Sequence, residues 1–187
     1  MQVANIMDQE ELKLFHQGSS FKAYEYMGSH RTTVDGKEGV VFRVWAPNAL
    51  SVSVVGDFNQ WNRAAHPMTK VSGGGVWECF ISGLIKEYDV YKYSIESPTK
   101  ELLLKTDPYG YHCETRPANG TKFYDIEGYE WHDEDWYKFK AKNSHYTAPV
   151  NIYEVHAGSW RKFSDGNSFS YEKFADELIP YVQEMGY

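Results

Sequence analysis

Residues 41–62 read VFRVWAPNALSVSVVGDFNQWN, and the fold turns on how this stretch is parsed. Ser51-Val52-Ser53-Val54-Val55 alternates polar and apolar side chains, the pattern of a strand with one face in a core. Val41-Phe42-Arg43-Val44-Trp45 reads as the strand before it, and Ala46-Pro47-Asn48 as the break between them. Trp45 is expected in the core, with Trp77. Trp61 stands apart, at a strand-to-loop corner among Asn59, Gln60 and Asn62. An indole in that setting suits a partner that is flat, apolar on one side and rich in hydroxyls.

Working outward, residues 40–126 hold further short β-like runs separated by turn residues. Gly73-Gly74-Gly75 introduces Val76–Ile81, and Val90–Ile95, Leu102–Leu104 and Lys122–Ile126 follow. The spacing predicts a mainly β chain, an immunoglobulin-like antiparallel β-sandwich over residues 31–128. Residues 1–30 form a helical and irregular lead-in, with Asp8 as N-cap of a helix reaching His16. Residues 129–149 are charged and aromatic and read as a linker, in which Trp131 and Trp136 clamp the connection.

The period changes after that. Residues 150–158, VNIYEVHAG, are expected to form a buried, parallel-type strand between Pro149 and Gly158. Tyr171, Phe174, Ala175, Leu178, Val182 and Met185 then line one helical face, with Ser170 as cap, Gly186 as stop and either a kink or two abutting helical pieces at Pro180. Strand, loop and helix over 150–187 make a truncated βα unit, the incomplete start of a (β/α)8 barrel.

The totals narrow the function. A net charge of −7 without any basic run excludes nucleic acid as a partner. No apolar stretch of spanning length and no signal-like segment at Met1 point away from a membrane and toward the cytoplasm. Cys79 and Cys113 lack metal-type spacing and read as reduced thiols. His132 with Asp133, Glu134 and Asp135 reads as a solvated acidic turn, and no metal or cofactor is expected. Asp57 and Asp89 read as turn residues.

The longer motifs carry a resemblance. FHQGSSFKAYEYMGSH (15–30) and residues 41–62 resemble the family-48 carbohydrate-binding module that precedes the catalytic barrel in 1,4-α-glucan branching enzymes. GYEWHDEDW (128–136) resembles the linker of that family, and NIYEVHAGSW (151–160) its first barrel strand. SYEKFADELIPYVQEMGY (170–187) resembles the helix that follows.

The resemblance implies glycogen or another α-1,4-glucan as partner, together with the rest of the barrel. It also implies a parent enzyme that cleaves α-1,4 links and forms α-1,6 branches through a carboxylate nucleophile and a carboxyl acid/base. In that family these acids lie on later barrel strands, so no catalytic residue is assigned and this chain alone is expected to be inactive. Trp61 matches a tryptophan that stacks on glucose, and Lys92 a lysine that hydrogen-bonds sugar hydroxyls, with Asn59 and Asn62 as further polar groups. A second stacking tryptophan of the relatives has no counterpart in ESPTKELLLK, residues 96–105. Two alternatives stay open: Trp61 packs against connector or barrel, and the module is a purely structural support without glucan affinity.

Overall fold

The computed structural model describes residues 7–187, so the first six residues of the expected lead-in lie outside the described residues. The chain divides into two compact units, Met1–Tyr129 and Glu130–Tyr187.

In the first unit, α1 (Gln9–His16) precedes β1 (Gly28–Val34), β2 (Lys37–Trp45), β3 (Ser51–Gly56), β4 (Thr69–Lys70) and β5 (Val76–Ser82). β6 (Val90–Glu96), β7 (Leu102–Lys105), β8 (His112–Cys113) and β9 (Thr121–Lys122) complete it. One antiparallel sheet runs β1-β2-β5-β4 and the other β3-β6-β9-β8, with β7 also on β6. The expected antiparallel sandwich is therefore formed. Its core takes alternate residues from both inner faces: Val40, Phe42 and Val44 of β2, Val52 and Val54 of β3, Trp77 and Ile81 of β5, and Tyr91 and Tyr93 of β6. Burying each such side chain contributes on the order of 1.5–3 kcal/mol, which selects the register that turns these residues inward.

Trp77 lies in this core, its indole nitrogen donating to the Ala46 carbonyl at 3.0 Å. Trp45 does not, contrary to the sequence expectation, and is 54% exposed. The pleat decides this: Trp45 shares the parity of Val41 and Arg43, opposite to that of Phe42 and Val44. Its ring meets Phe15 of α1 edge-on at 6.0 Å and its Nε1 donates to the Gly74 carbonyl at 2.8 Å. A second, smaller core forms where Leu12 and Phe15 of α1 pack with Tyr26, Met27 and Val76. Asp8 caps α1 as expected, accepting from the Glu10 amide at 2.7 Å.

Two buried polar arrangements brace the sandwich. Arg43 donates to Glu78 at 2.7 Å and to the Tyr26 carbonyl at 3.0 Å, tying the segment before β1 to the β2–β5 pair. Asp107 accepts from the hydroxyls of Tyr91 at 2.7 Å and Tyr93 at 3.0 Å and from the Tyr109 amide at 2.8 Å.

The second unit contains α2 (Glu134–Lys142) and α3 (Tyr171–Glu184). Ser170 caps α3 by accepting from the Lys173 amide at 3.2 Å, and α3 passes through Pro180 as one element. The strand expected over 150–157 is not formed. A strand needs a neighbour to share its ladder bonds, and residues 151–155 have none. Aromatic contacts hold the segment instead. Tyr153 meets Tyr181 at 5.9 Å and Tyr187 at 5.2 Å, while Trp160 meets Phe174 and Tyr181 at 5.7 and 5.6 Å. Within α2, Trp136 stacks on Phe139 at 5.8 Å. Among the described residues no helix is long and apolar enough to cross a membrane.

Candidate functional site

The corner after β3 is built on Gly56. A Cβ there would stand 2.4 Å from the Val90 carbonyl oxygen and 3.1 Å from the Tyr91 Cα, so β3 and β6 approach too closely for any side chain. A short 3₁₀ turn, Asp57–Asn59, follows, and then Gln60 and Trp61 both take left-handed backbone, with φ of 55° and 60°. For residues with a Cβ this costs roughly 1–2 kcal/mol each, so surrounding bonds must hold the corner. Asn59 supplies three of them. Its Oδ1 accepts from the Gly56 amide at 2.9 Å, and its Nδ2 reaches the Val54 carbonyl and His66 Nδ1, each at 2.9 Å. Burial pushes the His66 imidazole below its usual range, which favours the neutral ring that can accept at Nδ1. The Trp61 amide donates to the Gly56 carbonyl at 3.0 Å.

Asp57 orients the indole. Its Oδ1 accepts from Trp61 Nε1 at 3.2 Å and its Oδ2 from the Val90 amide, the first of β6, at 3.0 Å. The ring is left 40% exposed. Asn62 is exposed, and its Oδ1 accepts from the Ala64 amide at 3.0 Å. Asp89 is a turn residue as expected, accepting from the Lys86 amide at 2.8 Å.

Lys92 lies opposite Val55 in the β3–β6 pair, on the face turned away from Tyr91 and Tyr93. Its ammonium donates to Asn119 Oδ1. The loop after Trp61 is fastened to this same face: Arg63 donates to the Ser94 carbonyl and hydroxyl, each at 2.8 Å, and to the Ser51 hydroxyl, and lies 3.6 Å from Glu96. Arg63 and Lys92 therefore share one outer face, while Asn59 works inside the corner. Sequence reasoning missed three contributors: Arg63, Asn119, and the leucines of β7. Leu104 lies opposite Ser94 and Leu102 opposite Glu96, on the Lys92 face, 57% and 59% exposed. The signal for the leucines was present, since a three-leucine run pairing at a sheet edge must expose one parity.

The arrangement offers a fixed, half-open aromatic plane, an ammonium, amide groups and exposed aliphatic surface.

Residues 26–110 match Carbohydrate-binding module 48 (Isoamylase N-terminal domain). Across 93% of its length the chain is 46% identical to the 1,4-alpha-glucan branching enzyme GlgB of Bacillus cytotoxicus. Across 95% it is 45% identical to the enzyme of that name from Bacillus subtilis (strain 168). It spans 27% and 28% of the lengths of these two relatives. Among solved structures, ligand-free PulA from Klebsiella pneumoniae is 28% identical, with a TM-score of 0.45, over 60% of this chain and 11% of that one.

Proposed function

We propose that this chain is the glucan-binding, interdomain part of a 1,4-α-glucan branching enzyme, and that its sandwich holds α-1,4-glucan on the outer face of the β3–β6 sheet. The observation that carries the reading is Trp61. A tryptophan kept in left-handed backbone, bonded at its indole nitrogen by Asp57, and still 40% exposed is costly to maintain for packing alone. Stacking of a glucose ring on that plane contributes about 1 kcal/mol, with Lys92 and Asn62 bonding the hydroxyl rim. Asn59 serves by holding the corner. Leu102 and Leu104 supply apolar surface where a second tryptophan is lacking.

In this reading residues 31–128 are the module, 129–149 the linker and 150–187 the opening of the catalytic barrel. The whole enzyme cleaves an α-1,4 link and re-forms the chain end as an α-1,6 branch, acting on glycogen. The reacting carboxylates are assigned to no residue of this chain, and the chain alone has no branching activity.

One observation favours a second reading, the module as support only: the Lys92 ammonium and the Asn59 amide already have protein partners. Electrophoresis through native gels containing glycogen separates the two. Retardation of the wild type that is lost in Trp61→Ala supports glucan binding at the corner. Equal migration of both, with and without glycogen, overturns it and leaves the supporting role.

A further inference from the structure

The first unit has a concavity bordered by β1 and by the segments that flank β8 and β9, and Trp61 is not in its lining. It is a cleft of about 590 Å³ with Tyr24, Tyr111, Arg31, Phe123, Asp125 and Glu127 in its wall. That volume falls within the range of small-ligand sites, roughly 300–1,000 Å³. Its lining is divided by chemistry. Tyr24 and Tyr111 are 50% and 40% exposed, and the Tyr111 hydroxyl donates to the Tyr24 carbonyl at 3.0 Å, linking the two. The same lining holds a charged group fixed by its own partners. The Arg31 guanidinium lies 5.0 Å over the Phe123 ring and pairs with Asp125 at 2.9 Å and Glu87 at 3.2 Å.

The charge balance decides which ligand fits. An anion such as a phosphate needs a free cation, and Arg31 is already bracketed by two carboxylates. A polyamine or other cation needs free carboxylates. Asp125 is engaged by Arg31, and Glu25 by Lys22 at 3.1 Å, which leaves Glu127 as the remaining acid of the lining. What stays available is a pair of exposed tyrosines beside fixed donors and acceptors: guanidinium N–H groups, carboxylate lone pairs, and the Tyr24 hydroxyl. Those are the requirements of a neutral polyol with one apolar face.

We propose that this cleft is a second saccharide-binding site, in which a sugar ring lies against Tyr24 and Tyr111 while its hydroxyls bond Arg31, Asp125 and Glu127. The choice of an α-1,4-linked glucan as the sugar rests on the function proposed above; the saccharide class rests on the cleft itself. Two sites on one small sandwich would let it hold two points of a branched polymer, and linked contacts of this kind raise retention without strengthening either contact.

The test is a titration of the ¹⁵N-labelled chain with maltoheptaose, followed by amide and indole NMR shifts, with spermidine and inorganic phosphate as charged probes. The expected result is a set of saturable shifts at Ser29–Arg31 and Tyr124–Glu127 that persists in Trp61→Ala. Tyr24→Ala should weaken those shifts roughly fivefold, the loss of about one stacking contact, and leave the Trp61 indole response intact. Arg31→Lys, which keeps the charge and loses the planar fork, should weaken them as well. Cleft amides that stay still while the Trp61 indole shifts would overturn the second site and leave the first. Cleft shifts with spermidine or phosphate but not with maltoheptaose would overturn the saccharide assignment, as would shifts that Tyr24→Ala leaves unchanged.

Discussion

The Asp57 carboxylate holds the Trp61 indole: Nε1 donates to Oδ1 at 3.2 Å, while Oδ2 anchors the same carboxylate to the Val90 amide at 3.0 Å. One acid thus ties an exposed ring on a strained corner to the first residue of a central strand. Asp57→Ala should cost about 1–2 kcal/mol in urea unfolding and weaken retardation by glycogen, because the ring loses its orientation. Asp57→Asn retains an acceptor for one of the two donors and should fall between the variants. An Asp57→Ala chain that binds glycogen like wild type would show that the ring needs no such restraint.

The Arg43–Glu78 pair is a second place where one partner cannot be removed alone. Their side chains are 8% and 4% exposed. Arg43→Met or Glu78→Leu by itself should destabilise by roughly 3–5 kcal/mol, since each breaks a buried ion pair from one side. The double variant should recover most of that loss, because two apolar groups of similar volume avoid the desolvation of both ions. Thermal melts of the four proteins measure the coupling.

Asp107 gives the sandwich a pH dependence of defined sign. Burial raises its carboxyl above the ordinary 3.8, although the bonds from Tyr91, Tyr109 and Tyr93 pull the other way. A raised folded-state pKa means that the folded chain holds this proton more tightly than the unfolded one. The contribution is therefore fully present below pH 3.8 and is lost as pH rises through the folded value. Denaturant midpoints measured upward from mildly acidic pH should carry this falling component in the wild type, and Asp107→Asn should remove it. Identical pH profiles for the two proteins would mean that the carboxyl titrates alike in both states.

The two cysteines should differ in reactivity. Burial, and secondarily the neighbouring Glu78 charge, push the Cys79 thiol up to about 11, whereas Cys113 is exposed. The thiolate is the reacting species, so iodoacetamide at mildly alkaline pH should label Cys113 and spare Cys79 in the native protein. Cys113→Ser should then show no native labelling, and denaturant should restore one reactive site. Fast labelling of native Cys113→Ser would mean that the packing around Cys79 on β5 opens readily.

Much of the architecture was legible because strands and caps are written locally. The alternation at Ser51–Val55 sets which residues of β3 face inward, and it needs no knowledge of the partner sheet. Asp8 and Ser170 announce α1 and α3 because a short polar side chain can reach the next turn's amides from the cap position. Trp45 departs from the sequence expectation for a physical reason: a strand flanked on both faces gives no sign of which parity meets the larger core, and Phe15 of α1 packs on the Trp45 side. Residues 151–155 were misread for a related one. Their apolar run specifies burial, but a strand exists only where another strand completes its hydrogen bonds.

By itself, then, the sequence determined the antiparallel sandwich and the capped helices at either end from local patterns and their spacing, and its longer motifs carried the likeness to a carbohydrate-binding module. Tertiary structure alone decided that Asn59 is turned inward to hold the corner and that Trp61 is presented by Asp57. It also decided that Lys92 shares a face with the β7 leucines, and that Tyr24 and Tyr111 meet across 87 residues of chain. Side-chain hydrogen-bond partners and shared faces are set by which distant strands pair and in what register, and no local pattern encodes them.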